Sequence, residues 1–181
     1  MKQIYFILTN TGTVLSRIIR FFMKDEYAHV SISLDRNLTQ MYSFGRLNPY
    51  NPFYGGFIHE YIDRGTFKRF SKTKAKIFVL NITEEQYSDL KNKILEFKRT
   101  QKKYKFNIIG LFAIYFNIKI QKENYFYCAE FVKYVTETAN IDLKLPELVR
   151  PENFKNIEGS KAIYIGYLRK YSSEEKQGVS W

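Results

Sequence analysis

A chain of 181 residues that is 45 % apolar and 18 % aromatic can bury a sizeable core within one domain, which excludes global disorder. Its single cysteine excludes an internal disulfide and any cysteine array for zinc or an iron–sulfur cluster, so the sequence implies no metal and no cofactor. Twenty-nine Lys and Arg against eighteen Asp and Glu leave a formal charge of +11, a statement about encounter partners rather than about fold. The basic residues are spread, with local densities over Lys68–Lys76 and Lys98–Lys105, and form no dense helical stripe. Nucleic acid is therefore disfavoured as a partner, whereas peripheral contact with an anionic membrane or polymer stays open.

In chain order, Gln3–Thr9 (QIYFILT) is rich in aromatic and β-branched residues and predicts a strand. The apolar run there is about six residues, shorter than the roughly 7–15 of a secretory signal. Val14–Phe22 has helix periodicity. In AHVSISL, Val30, Ile32 and Leu34 alternate with His29, Ser31 and Ser33, the pattern of a half-buried strand. Asp35–Asn37 signals a turn, and Thr39–Phe44 resumes extended character, so the two segments predict an antiparallel hairpin. Gly45–Gly56 (GRLNPYNPFYGG) carries two prolines and three glycines and reads as a long loop, expected to border a cleft and select substrate. Phe57–Ile62 is a candidate short strand.

Lys76–Ile82 predicts another strand. Thr83 and Gln86 then fit a capping box ahead of a helix whose Tyr87, Leu90, Ile94 and Phe97 share one face. Lys105–Phe116 predicts a further helix, and its nine-residue apolar run Ile108–Phe116 is too short for a membrane that needs about 20. A helix is expected over about Tyr125–Thr138, capped near Asn124, and a last strand over Ala162–Leu168. Residues 1–170 are expected to form one domain, with 171–181 a frayed tail. With neither a signal peptide nor a spanning segment in view, a cytoplasmic location is the expectation. The element order predicts an α+β fold, an antiparallel β-sheet packed against helices.

The chemistry turns on NYFYCAEFVKYV. Cys128, Phe131, Val132 and Val135 form an apolar stripe, which suits a buried thiol of no function. Yet Cys128 also falls in the first turn of its predicted helix, where unpaired N–H groups and the helix dipole favour a thiolate and an oxyanion. Nucleophilic cysteines need their free pKa of about 8.5 lowered by such a neighbour or by an imidazolium. Of two histidines, His29 opens a strand and is held more firmly than His59 beside the glycine-rich segment, so His29 is the better base. For a group to orient its ring, the hairpin offers Ser43, Gln40 and Tyr42, and Glu60 and Asp63 are acidic alternatives.

The histidine opening an alternating strand (YAHVSISL) and the aromatic–Cys–small–acidic–apolar helix start (FYCAEFV) together resemble the circularly permuted papain-like proteins. These include the permuted relatives of the NlpC-type cell-wall peptidases and the lecithin retinol acyltransferase group. In ordinary papain-like enzymes the cysteine helix precedes the histidine strand; here the order is reversed. The resemblance covers roughly Ile4 to Leu168. It implies a permuted papain-like domain in which Cys128 is the nucleophile and His29 the base. The third polar position falls near Ser43, where many relatives carry Glu, Asn, Gln or His; Ser43 suffices, Gln40 steps in, or the constellation is degraded. Tyr127 flanks the nucleophile and Glu130 sits behind it as a structural residue. The implied activity is that of a thiol hydrolase, a cysteine peptidase or amidase, on a peptide, amide or acyl-lipid. The alternative is a basic module for an anionic membrane or polymer, with Cys128 in the core.

Overall fold

The computed structural model describes residues 1–12, 26–48 and 51–171. The helix expected over Val14–Phe22 and the tail from 172 onward lie outside the described residues. The architecture is mixed α+β. Six antiparallel strands form one sheet in the order β4-β3-β2-β1-β5-β8. They are β1 (Lys2–Asn10), β2 (His29–Ser33), β3 (Met41–Asn48), β4 (Asn51–Glu60), β5 (Lys74–Ile82) and β8 (Lys161–Tyr167). Two short strands, β6 (Lys105–Phe106) and β7 (Tyr125–Phe126), pair in parallel beside it. The helices are α1 (Gly65–Arg69), α2 (Glu84–Arg99), α3 (Ile108–Ala113) and α4 (Cys128–Thr138). Among the described residues no helix is long and apolar enough to cross a membrane.

Strand β1 explains the layering. Its run Ile4–Leu8 is buried residue by residue, because it is covered on both faces. On one face Ile4, Phe6 and Leu8 join Ile32, Phe44 and the inner sides of α2 and α4 in the larger core. On the other, Tyr5 and Ile7 join Met41, Phe67 and Ile77 in a smaller cluster that also takes Leu168 and Tyr171. Tyr171 therefore belongs to the packed domain, its hydroxyl donating to the Arg36 carbonyl at 2.8 Å, and not to a frayed tail.

Helix α2 begins as its sequence requires. Gln86 N–H donates to Thr83 Oγ1 at 3.1 Å, and Thr83 N–H donates to Gln86 Oε1 at 3.0 Å. The aromatic content of the chain concentrates where α2 and α4 meet the β3–β4 hairpin. Phe44 and Phe131 have ring centroids 5.2 Å apart, Phe97 and Phe131 5.2 Å, and Phe57 and Phe131 5.6 Å. Tilted and edge-on contacts of this kind add to the burial of large rings.

Two expectations are overturned. The segment 45–56 is not a long loop: β3 and β4 run through it, paired Gly45 to Gly56 and Arg46 to Gly55. Its residues 49 and 50 lie outside the described residues. An edge strand tolerates proline, and here the glycines mark close backbone approach rather than turns. A Cβ on Gly55 would meet the Gly45 carbonyl oxygen at 2.8 Å and Phe106 at 3.0 Å. Likewise β2 is not half-exposed. Ser31 and Ser33 are as buried as Val30 and Ile32, because their hydroxyls find partners inside the protein.

Gly55 and Gly45 thus make a matched test. Gly55→Ala should lower stability by about 1–3 kcal/mol in urea unfolding, since rigid backbone cannot yield. Gly45→Ala should cost far less, because its Cβ would meet its neighbours only at 3.5–3.7 Å. Equal effects would mean that the β3–β4 hairpin does not press against β6 as described.

Candidate active site

Three remote segments converge at the end of the sheet. Helix α4 starts at Cys128 because Tyr127, still extended, is its N-cap. Asn124, expected near the cap, precedes β7 and lies outside the helix. The Glu130 carboxylate accepts the Tyr127 N–H at 3.1 Å, and the Tyr127 hydroxyl donates to the Val149 carbonyl at 2.9 Å. The helix start is thereby tied on both sides. Burial pushes the Glu130 carboxyl up to about 7, against the Tyr127 N–H, the Asn107 side chain and Lys119, which hold it down. Glu130 and Tyr127 therefore hold the start of the helix in position.

Cys128 occupies the first turn with only 3 % of its surface exposed. Its N–H and the two that follow have no partner within the helix, leaving donors where a tetrahedral oxyanion would form. The thiol lies close enough to the His29 side chain to favour its charged form. His29 is the first residue of β2, so its ring lies where the sheet ends and α4 begins; one-fifth of it is exposed.

The group that orients His29 is Glu60, at the end of β4. Glu60 Oε1 lies 3.1 Å from His29 Nε2. Glu60 is 8 % exposed, so its charge needs internal partners, and it has them. The Ser31 hydroxyl donates to Glu60 Oε2 and also lies 3.3 Å from His29 Nε2. Burial alone would neutralise both groups. The His29 charge, with His29 and Ser31 hydrogen bonds, instead holds the Glu60 carboxyl below its usual range. Burial likewise pulls the His29 pKa down, but the Glu60 charge and the Cys128 contact outweigh it and raise it to about 10.

Ser43 does not take the orienting position the hairpin suggested for it. It is fully buried on β3, and its hydroxyl faces the Glu60 carboxylate, close enough to favour the charged form but outside good hydrogen-bond geometry. Gln40 sits in the turn ahead of β3, where its N–H donates to Asp35 Oδ1 at 2.6 Å, and takes no part in the cluster. His59, next to Glu60 on the strand, points to the opposite face. Its nitrogens bond with the Thr39 carbonyl at 2.7 Å and the Tyr61 hydroxyl at 2.9 Å, and its ring stacks on Tyr42.

In sequence Glu60 was one of two acidic alternatives for orienting His29, set beside His59 in the stretch GFIHEYI. Two further members gave no signal. Ser31 looked like a solvent-facing position of an alternating strand. Gly45 leaves its Cβ position open within 3.5–3.7 Å of His29 Cε1, Ser43 Oγ and Glu60 Oε1. Among the described residues no group of His, Cys, Asp and Glu is arranged to hold a metal ion.

Glu60→Gln should move the His29 titration midpoint, followed by the NMR shift of its Cε1 proton, down from about 10 toward the ordinary 6.5. The raised His29 pKa contributes stability that is whole below 6.5 and disappears as pH rises toward about 10. The lowered Glu60 pKa contributes stability that is whole above 4.5 and disappears as pH falls through its folded value. The stability difference between wild type and Glu60→Gln should therefore be widest between pH 4.5 and 6.5 and narrow toward pH 10. A midpoint unmoved by the substitution would break the pairing.

No protein-family model, no curated protein and no solved structure matches this chain, so the reading of the site rests on its own geometry.

Proposed function

We propose that the chain is a thiol hydrolase of permuted papain-like architecture, a cysteine peptidase or amidase that cleaves an amide or ester through an acyl-enzyme on Cys128. One observation carries this reading: a helix-start cysteine, a strand histidine and a buried carboxylate form a chain of contacts although residues 29, 60 and 128 lie far apart in sequence. A carboxylate that is almost wholly buried is costly, and a core with no chemistry would be served as well by an apolar residue there. The histidine strand also precedes the cysteine helix, the order of the permuted members.

The chemistry follows from the contacts. The Cys128 sulfur, its proton held by His29, attacks the carbonyl carbon and forms a C–S bond. The oxyanion faces the first N–H groups of α4. When the intermediate collapses, the C–N or C–O bond breaks and His29 gives its proton to the leaving amine or alcohol. Acylation replaces the thiol with a neutral thioester and so removes the Cys128 influence that helps keep His29 protonated. His29 can then take a proton from water as it attacks the thioester. The C–S bond breaks, the acid leaves, and the net reaction is amide or ester plus water to acid plus amine or alcohol. An acceptor other than water would make the same site an acyltransferase, so peptide, amide and acyl-lipid substrates all fit it. Glu60 keeps the ring oriented throughout, the role the third member of a triad requires.

The competing reading, a basic binding module with an inert thiol, leaves the His29–Glu60 pair without a use. Iodoacetamide separates the two, because the chain has one cysteine and mass spectrometry reports its modification directly. Native protein should be carboxamidomethylated at Cys128 near neutral pH. His29→Ala should slow this by roughly 100-fold or more, the scale of a lost proton acceptor. His59→Ala should leave the rate within about twofold, since His59 is bonded on the other face. Cys128→Ser should remain folded. A native rate near zero, or one indifferent to His29, would remove the nucleophile.

A further inference from the structure

We propose that the segment from Ile109 to Lys122 is a docking surface for the anionic face of a lipid bilayer. Ile109, Phe116, Ile118 and Ile120 are 67 %, 76 %, 52 % and 40 % exposed. They are four of the ten large apolar side chains that the described residues expose, and they fall within twelve consecutive positions. Exposed large apolar side chains concentrated in this way mark a contact site. From Phe97 to Lys122 the chain has seven Lys and Arg and no Asp or Glu, so this stretch alone carries +7 of the overall +11.

The apolar side chains are not on a frayed connection. Gly110, Leu111, Ala113 and Ile114 of the same segment are buried and anchor it from beneath. Asn107, itself buried, accepts the Gly110 N–H at 2.9 Å and donates to the Ile120 carbonyl at 2.9 Å, closing the segment at both ends. Arg150 donates to the Ile114 carbonyl at 3.2 Å, and Ile118 N–H donates to the Ala113 carbonyl at 3.1 Å. Of the glutamates that share a groove with Lys103, Lys119 and Lys122, Glu147 holds Lys119 at 2.9 Å and Glu123 accepts from the Asn124 side chain at 3.2 Å. Lys103 and Lys122 have no carboxylate partner among the described residues.

Aliphatic and aromatic side chains set among lysines suit an interface where hydrocarbon begins just below phosphate. A nucleic acid would use the lysines and leave the isoleucines in water. The surface also bears on the proposed active site, because Asn107 reaches Glu130, which caps the Cys128 helix. The docking itself does not depend on catalysis, and alkylation of Cys128 is measured without vesicles, so either reading can fail alone.

Co-sedimentation with vesicles of mixed phosphatidylglycerol and phosphatidylcholine tests the surface, with phosphatidylcholine alone as the neutral arm. Wild type should bind the mixed vesicles and bind the neutral ones far less. Phe116→Ser with Ile118→Ser should weaken binding at least about tenfold while far-UV circular dichroism stays unchanged. Lys103→Gln with Lys122→Gln should weaken it on mixed vesicles in a salt-dependent way. Phe116→Trp in a Trp181→Phe background should shift its fluorescence to the blue on binding and be quenched by brominated acyl chains. Any of three results overturns the proposal: no sedimentation; sedimentation that the Phe116→Ser and Ile118→Ser pair leaves intact, as for a polyanion site; or a wild-type dimer in solution that this pair dissociates, which would make a second copy the occupant.

Discussion

A carboxylate kept charged inside the protein is the constraint around which the site is arranged. Glu60 stands at the end of an edge strand, almost without exposure, and its charge is tolerable only because His29 and Ser31 meet it. That requirement places conditions on three strands at once. β4 must be in register with β3, β3 with β2, and β2 must begin at His29 for the imidazole to lie between Glu60 and Cys128. A one-residue slip of β4 would put the His59 side of the strand against His29 and send Glu60 to the opposite face.

The two faces of the sheet consequently do different work. The face under α2 and α4 is dry and aromatic, and it fixes the position of α4 through Phe131 packed on Phe44, Phe57 and Phe97. The other face carries the smaller apolar cluster and, toward its end, the serine hydroxyls and the ion pair. The thiol joins them because it sits on the first residue of α4, at the border between the two environments. A cysteine one turn further into the helix would be an ordinary core residue.

Aromatic packing and glycine spacing cooperate in holding β3 and β4 in place. Gly55 and Gly56 let β6 and the Tyr104 backbone approach β4 closely, while Phe44 and Phe57 on the same hairpin fill the core beneath α2. In sequence these glycines and the neighbouring prolines looked like loop punctuation. Local composition cannot separate a turn glycine from one required by a neighbouring chain, because the neighbour is remote in sequence.

The elements whose causes are local were legible from residues alone. The Thr83–Gln86 capping box, the apolar run of β1, the β2–β3 hairpin and the apolar stripe of α4 each follow from side chains within a few positions of one another. So did the candidacy of Cys128 and His29, which rests on where each falls within its own element. Tertiary structure alone decided the partner of His29, the burial of Ser31 and Ser33, and the conversion of residues 45–56 into paired strand. These depend on register between β2, β3 and β4, and on which groups share a low-dielectric space. Ser43 and Glu60 were both polar residues on strands near the histidine, and their sequence surroundings do not rank them. The antiparallel ladder does, because it brings the Glu60 carboxylate to 3.1 Å from the imidazole and leaves the shorter Ser43 side chain to face that carboxylate instead.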